Sequence, residues 1–402
     1  MNRHFPPSFF AGNRQRAIER LRGAAIALTG YVQLQRINDI GQSFEQESNF
    51  WYLTGINEPG WQVIIDGKRG KAWLVQPTIS REQELFGGCL TAEEAVAISG
   101  IDDIIDQTAS LSILRQMART HSLVYTCDQP PTHGLVPNPA PREFRQLLER
   151  HFNSVQDCRQ ELATIRSIKQ PLELEAIKRA VKITLEGFEK VRRQLQNYRH
   201  EFEVEADFSH TFRRQGCHHA YLPIIAGGSR ACTLHYEKNN QPLKKRQLLL
   251  MDVGASYGHY AADITRTYVT GDPTKRQRDI HDATREAQKE IIQLCQPGMP
   301  LSDYRERADA IMERALVDLK LMEPGDRDAF YTYFPHAVGH GLGLDVHDSM
   351  GAQAYFQVGM VITVEPGIYS RQEGIGVRIE DDIYISEDGP VNLSAKLSTS
   401  IG

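Results

Sequence analysis

The sequence predicts two domains, an α/β unit over residues 1–158 followed by a larger unit over 159–402 that mixes long helices with antiparallel strands. Three observations point that way. Short strand patterns alternate with helical ones up to about residue 158, which implies a small mixed or parallel sheet. From Ser154 the composition shifts, and Leu162–Leu195 is mostly strong helix formers, with Pro171 placed to open a helix. Further on, Gln247–Gly271 reads as a β-hairpin, two strand-like runs around a turn of small residues.

In the first unit a helix is expected around Asn13–Arg22 and a strand at Ala24–Leu28, followed by the apolar run Phe50–Leu53 closed by Thr54-Gly55. Trp61–Ile65 and Ala72–Val75 read as paired strands around Asp66-Gly67 and Arg69-Gly70, which are turn residues. Thr91–Ala97 suits a helix, with Thr91 as N-cap and Glu94 completing a capping box. Leu123–Thr126 is a further strand, and the prolines from Pro130 to Pro141 mark an exposed loop. Nothing here has the spacing of a metal or nucleophile site. The unit is assigned to folding, assembly and substrate gating.

Composition narrows the function. With 41% apolar and 24% charged residues the chain is of ordinary globular type. A net charge of -5 and a pI near 6.3 give no reason to expect nucleic acid. The basic clusters Lys244-Lys245-Arg246 and Lys275-Arg276 are short and flanked by turn residues, which suits solvated loops. No apolar run approaches the ~18 residues of a membrane span, and the N-terminus lacks the apolar core of a signal peptide. The six cysteines are scattered, without a C-x-x-C pair, and fit free thiols in a reducing cytoplasm.

In the second unit two helices are expected, Leu172–Gln196 and roughly Glu203–Gln215, then a buried strand Tyr221–Ile225 and a turn leading to His235. In the hairpin, Leu248–Met251 ends in Asp252. With its centre near Ser256 and Tyr257, Asp252 lies opposite Ala261, and Asp263 is a diagonal neighbour on the same face, roughly 7–8 Å away. Helices Lys275–Cys295 and Asp303–Leu319 follow. His336, His340 and His347 then fall within twelve residues, interleaved with Gly339, Gly341 and Gly343, where the backbone can approach a ligand closely. A strand Met360–Glu365 ends in an acid before Pro366-Gly367, and Gly376–Ser386 carries Arg378, Glu380, Asp382 and Tyr384 on one face.

Singly, a strand-end acid is a turn residue and a histidine in a glycine-rich loop bonds its neighbours. As a set, Asp252, Asp263, His340, Glu365 and Glu380 offer four carboxylates and one imidazole, a donor set suited to Mn²⁺, Co²⁺ or Zn²⁺. Four negative charges exceed what one divalent ion neutralises, which argues for two ions. Such a pair, about 3.5–4 Å apart, activates water and polarises a carbonyl, machinery for hydrolysis.

The flanks of these five positions, MDVG, DITRT, GHGLGLDVHD, VEPGIY and RIEDD, resemble the pita-bread metallopeptidases, which include aminopeptidase P, prolidase and methionine aminopeptidase. The stretch Phe44–Gly60 resembles the N-terminal domain of the Xaa-Pro branch, and Ala163–Ile177 the first helix of its catalytic domain. The resemblance implies an aminopeptidase P-like α/β domain over 1–158 and an α+β pita-bread catalytic domain over 159–402. It implies that Asp252 chelates one ion, that Asp263 and Glu380 bridge two, and that His340 and Glu365 complete the other. Glu365 also becomes the proton shuttle, His235 a substrate contact near the scissile bond, and His347 a stabiliser of the tetrahedral intermediate. His336, Arg378 and Tyr369 match substrate-pocket positions, and Arg378 has the alternative of pairing a ligand carboxylate.

The implied activity is release of the N-terminal residue before proline by a dinuclear enzyme, most simply with Mn²⁺, acting on proline-containing peptides as a homodimer or higher homo-oligomer. One departure stands out: where aminopeptidase P members commonly carry a Trp that reaches a neighbouring subunit, this chain has Glu84-Leu85-Phe86-Gly87. The alternative within the family is an Xaa-Pro dipeptidase (prolidase) confined to dipeptides, although the short span from His347 to Glu365 is more like aminopeptidase P. Outside it stand a metal-free binding module and a serine hydrolase, the latter because Gly254–Gly258 fits G-x-S-x-G. That motif requires a helix after the serine, and a strand pattern follows instead.

Overall fold

A computed structural model describes residues 4–128 and 135–402. The chain divides into two compact units, 1–165 and 166–402, and the division falls inside the helix Arg159–Ser167. Part of the expected proline-rich loop, Pro130–Gly134, lies outside the described residues.

The first unit is built on a six-stranded mixed sheet. In spatial order its strands are Ile104–Ile105, Lys71–Val75, Gln62–Asp66, Ala25–Thr29, Leu123–Thr126 and Ser154–Asp157. The expected hairpin is present as Gln62–Asp66 against Lys71–Val75. The capping box at Thr91 and Glu94 opens the helix Ala92–Ser99. The first helix runs Pro7–Arg20, starting earlier than expected because a proline opens it without needing a donor. Phe50–Leu53 is helical (Ser48–Thr54), and Trp51 packs edge-on against Phe5 and Phe10.

In the second unit long helices, Pro171–Gln194, Glu201–Arg214, Lys275–Leu294 and Leu301–Asp318, accompany short antiparallel sheets. One sheet orders Ile224–Gly227, Leu248–Val253 and Ile264–Val269; another orders Val361–Val364, Asp381–Ser386 and Gly389–Asn392. Both strands of the central hairpin are wholly buried, so polar residues on either face need internal partners.

Two expectations are corrected here. The hairpin turns at Gly258-His259, with Ser256 opposite Ala261 and Asp252 opposite Thr265. Gly258 and His259 both take left-handed φ values, 57° and 70°, as the two central residues of a type I′ turn require. Asp263 remains a diagonal neighbour of Asp252, on the other side of the new register. Gly376–Ser386 is not one strand either. It breaks between Ile375–Arg378 and Asp381–Ser386, which belong to different sheets, and leaves Glu380 at the break.

Candidate metal centre

Each of the five acids and histidines is delivered by a strand end or by the glycine loop. Asp252 is the last residue but one of the Leu248–Val253 strand and Asp263 precedes Ile264–Val269. Glu365 follows Val361–Val364, and Glu380 is fixed by a backbone bond from its N–H to the Thr265 carbonyl at 3.1 Å. His340 sits between Gly339 and Gly341, where the chain is wedged: a Cβ at Gly339 would strike the Thr363 carbonyl, and one at Gly341 the Asp348 carbonyl.

The side chains converge. Asp263, His340 and Glu380 each present a ligand atom, all within 4.8 Å of one another. His340 Nε2 is 3.6 Å from Asp263 Oδ2 and 3.5 Å from Glu365 Oε1. Asp252 joins through Tyr221, whose hydroxyl lies 2.6 Å from Oδ1 of both Asp252 and Asp263. Thr265 Oγ1 donates to Glu380 Oε2 at 2.5 Å.

Protonation follows from these contacts. His340 Nδ1 is 3.0 Å from the Gly341 carbonyl and so carries the ring proton, which turns the Nε2 lone pair toward the carboxylates. Burial lowers the His340 pKa to about 4, keeping the ring neutral. Burial raises the carboxyls of Asp263 and Glu380 well above the ordinary range, and like-charged neighbours, Asp252 for the first and Asp263 for the second, push further. Glu365 is pushed up to about 8, also by burial. Without a cation such a cluster must hold protons, and a divalent ion does the same job for the charged forms. The donor set therefore fits divalent metal ions.

Around it runs a chain of bonds that the sequence did not disclose. Arg378 pairs with Asp252 and donates to the Tyr369 hydroxyl at 2.9 Å and to Thr265 Oγ1 at 3.2 Å. Tyr369 donates onward to His336 Nε2 at 2.9 Å, and His336 Nδ1 bonds the Ala337 carbonyl at 2.8 Å. Arg378 thus spends its donors within the site, on a ligand carboxylate among others. His347 packs edge-on against His340, ring centroids 4.3 Å apart, and its pKa is lowered by burial and then by His235. The residue after it, Asp348, is held by Arg166 at 2.9 Å and by Lys169 at 3.5 Å, which fixes the loop.

Sequence reasoning missed Tyr221, placing it within a strand that begins instead at Ile224. It also gave Asp382 no part. That carboxyl is fully buried, accepts the Asp263 N–H at 3.2 Å and has its Oδ1 unpaired. Ser256 lies in the strand Ala255–Tyr257, with strand Tyr260–Ala261 after it, so no nucleophile elbow forms.

A cavity of about 370 Å³ lies beside the centre, lined by Tyr304, Tyr331, His336, Val338, His340 and Phe356. A larger one of about 570 Å³, in the first unit around Trp61, Gln83 and Phe144, contains none of the converging ligands. Only the smaller of the two is lined by a converging residue, His340.

Comparison with known proteins agrees with this geometry. The family model "Metallopeptidase family M24" matches residues 175–387, and "Aminopeptidase P, N-terminal domain" matches residues 10–125. The Xaa-Pro aminopeptidase of Haemophilus influenzae is 32% identical, over 98% of this chain and 96% of its own length. Human Xaa-Pro aminopeptidase 3 is 33% identical, over 89% and 75%. Among solved structures, aminopeptidase P from E. coli with the inhibitor Pro-Leu superposes with a TM-score of 0.84 at 28% identity, covering 98% of this chain and 96% of that one. Proline aminopeptidase P II from Yersinia pestis gives 0.83 at 27%, covering 99% and 98%. The chain belongs to metallopeptidase family M24, in its aminopeptidase P branch, and is a metallo-exopeptidase with a pita-bread catalytic domain.

Proposed function

We propose that Asp252, Asp263, His340, Glu365 and Glu380 hold two divalent cations, and that the residues around them serve the reaction of this branch, hydrolysis of the Xaa-Pro bond at a peptide N-terminus. The observation that carries the reading is the convergence of Asp263, His340 and Glu380 donors within 4.8 Å. When bound, the cations supply Lewis acidity for water and for the scissile carbonyl. Mn²⁺ is our assignment, from an oxygen-rich set with a single imidazole.

The chain's own groups do the rest. The bond attacked is a tertiary amide without an N–H, so the proline nitrogen must receive a proton before it leaves. Glu365, 3.5 Å from His340 Nε2, takes a proton from the attacking water on its carboxylate and returns it to that nitrogen. His347, beside His340, faces the carbonyl oxygen as negative charge develops there. His235 holds the substrate next to the bond, and His336 and Tyr369 border the pocket. The second unit is the catalytic domain and the first an accessory one. Leu85 and Phe86, 80% and 82% exposed on the helix Arg81–Gly87, support assembly into a homo-oligomer.

Metal analysis together with hydrolysis of an Xaa-Pro dipeptide and an Xaa-Pro-Xaa tripeptide tests this. Two equivalents of metal and turnover of the tripeptide are expected. Strong preference for the dipeptide would make the enzyme a prolidase instead, and no bound metal with no chelator-sensitive activity would remove the reading.

A further inference from the structure

Glu201 opens the helix Glu201–Arg214 and is completely buried, yet it touches none of the metal ligands. Its Oε1 accepts from the Gly227 N–H at 2.9 Å and from Arg230 Nε at 2.7 Å. Its Oε2 accepts from the Tyr236 hydroxyl at 2.8 Å and from the Gln241 N–H at 3.0 Å. A carboxylate offers about four acceptor sites, and all are taken by one segment, Gly227–Gln241. Glu201 also donates its backbone N–H to the Gln241 carbonyl at 3.1 Å.

A second tie holds the same segment. Asn239 is buried with φ of 45°, accepts from the Ile225 N–H at 2.9 Å, and donates to Glu205 at 2.9 Å and to the Pro223 carbonyl at 2.8 Å. Between the two ties, next to Tyr236, stands His235, whose own side chain is exposed. Nothing regular supports it: the segment from Thr233 to the strand Leu248–Val253 contains neither helix nor strand.

We propose that Glu201 is a positioning residue: by drawing Gly227, Arg230, Tyr236 and Gln241 onto one buried carboxylate, it sets the place of His235 beside the substrate. The inference rests on the reading of His235 as a substrate contact. Its physical basis is that a displacement of about 1 Å at a reacting centre can cost about a hundredfold in rate, and an unsupported loop has that freedom.

The test is a double-mutant cycle on the metal-loaded enzyme with an Xaa-Pro-Xaa substrate. Glu201→Gln keeps the volume but turns an amide NH₂ toward two of the four donors, so two bonds are lost. We expect kcat/KM to fall about tenfold or more, with metal content unchanged. His235→Ala should fall further, and the double variant should be no worse than His235→Ala alone, because the positioned group is already gone. Losses that multiply would assign Glu201 a general structural role and overturn the proposal, as would wild-type kinetics in Glu201→Gln beside an impaired His235→Ala. Wild-type activity in His235→Ala would instead strike the reading of His235 itself. Should Glu201→Gln fail to fold, Tyr236→Phe removes only one of the four bonds and enters the same cycle, with the same expectation of non-additivity.

Discussion

Arg378→Met isolates what the metal does for the charge of Asp252. Arg378 is 4% exposed and Asp252 8%, so the pair lies almost wholly out of water. Removing one partner of a buried pair costs about 3–5 kcal/mol, because the other charge is stranded. With cations bound, Asp252 keeps a positive neighbour, and only the hydrogen bonds to Tyr369 and Thr265 are lost, at about 1 kcal/mol each. For a unit the size of residues 166–402, about 1 kcal/mol moves Tm by roughly 2–4 °C. The variant should therefore melt roughly 6–20 °C lower than wild type when stripped with a chelator, and only roughly 4–8 °C lower when loaded.

Scanning calorimetry of both forms measures it. Trp51, Trp61 and Trp73 all lie in the first unit, so tryptophan fluorescence follows that unit alone and serves as an internal control. Equal losses with and without metal would show that no cation compensates Asp252, and the ligand assignment would fail with it.

Asp263→Ala and Glu380→Ala should each abolish turnover and reduce the metal bound below two equivalents; near-normal activity in either would contradict the bridging roles. Tyr221→Phe removes the hydroxyl shared by Asp252 and Asp263 and should weaken metal binding about 10- to 100-fold, as loss of a group that orients ligands does; titration with a metal indicator reads it. In the stripped protein Glu365 is held up to about 8 by burial, against an ordinary 4.5. The folded state thus keeps a proton that the unfolded chain has shed, and its contribution to stability is full below about 4.5 and lost as pH rises toward about 8. The stripped Tm should fall between pH 5 and 8, and less steeply in Glu365→Gln; equal slopes would rule Glu365 out as the cause.

The five candidate ligands stood out because Asp252 and Glu365 end strand patterns, His340 stands among glycines, and the order of all five, with Asp263 and Glu380, resembles a family signature. What surrounds them did not. The hairpin register depends on His259 accepting a left-handed φ, which composition alone does not announce. Arg266, a charged residue within the strand Ile264–Val269, is 1% exposed and pairs with Asp381 at 2.6 Å. Periodicity assumes one wet face, and here both faces are covered. Tyr221 and Glu201 escaped for a related reason. An aromatic opening an expected strand and an acid just ahead of an expected helix have ordinary local explanations, and their actual partners, Asp252, Asp263 and the Gly227–Gln241 segment, are set by tertiary structure.

The wedge at His340 decides how freely that imidazole can move. With main-chain atoms of Thr363 and Asp348 pressed against the two glycines, the imidazole is mounted on a frame that has no slack to spread. A side chain grafted at residue 339 or 341 would press on the Thr363 or Asp348 carbonyl and shift the imidazole before it altered any chemistry.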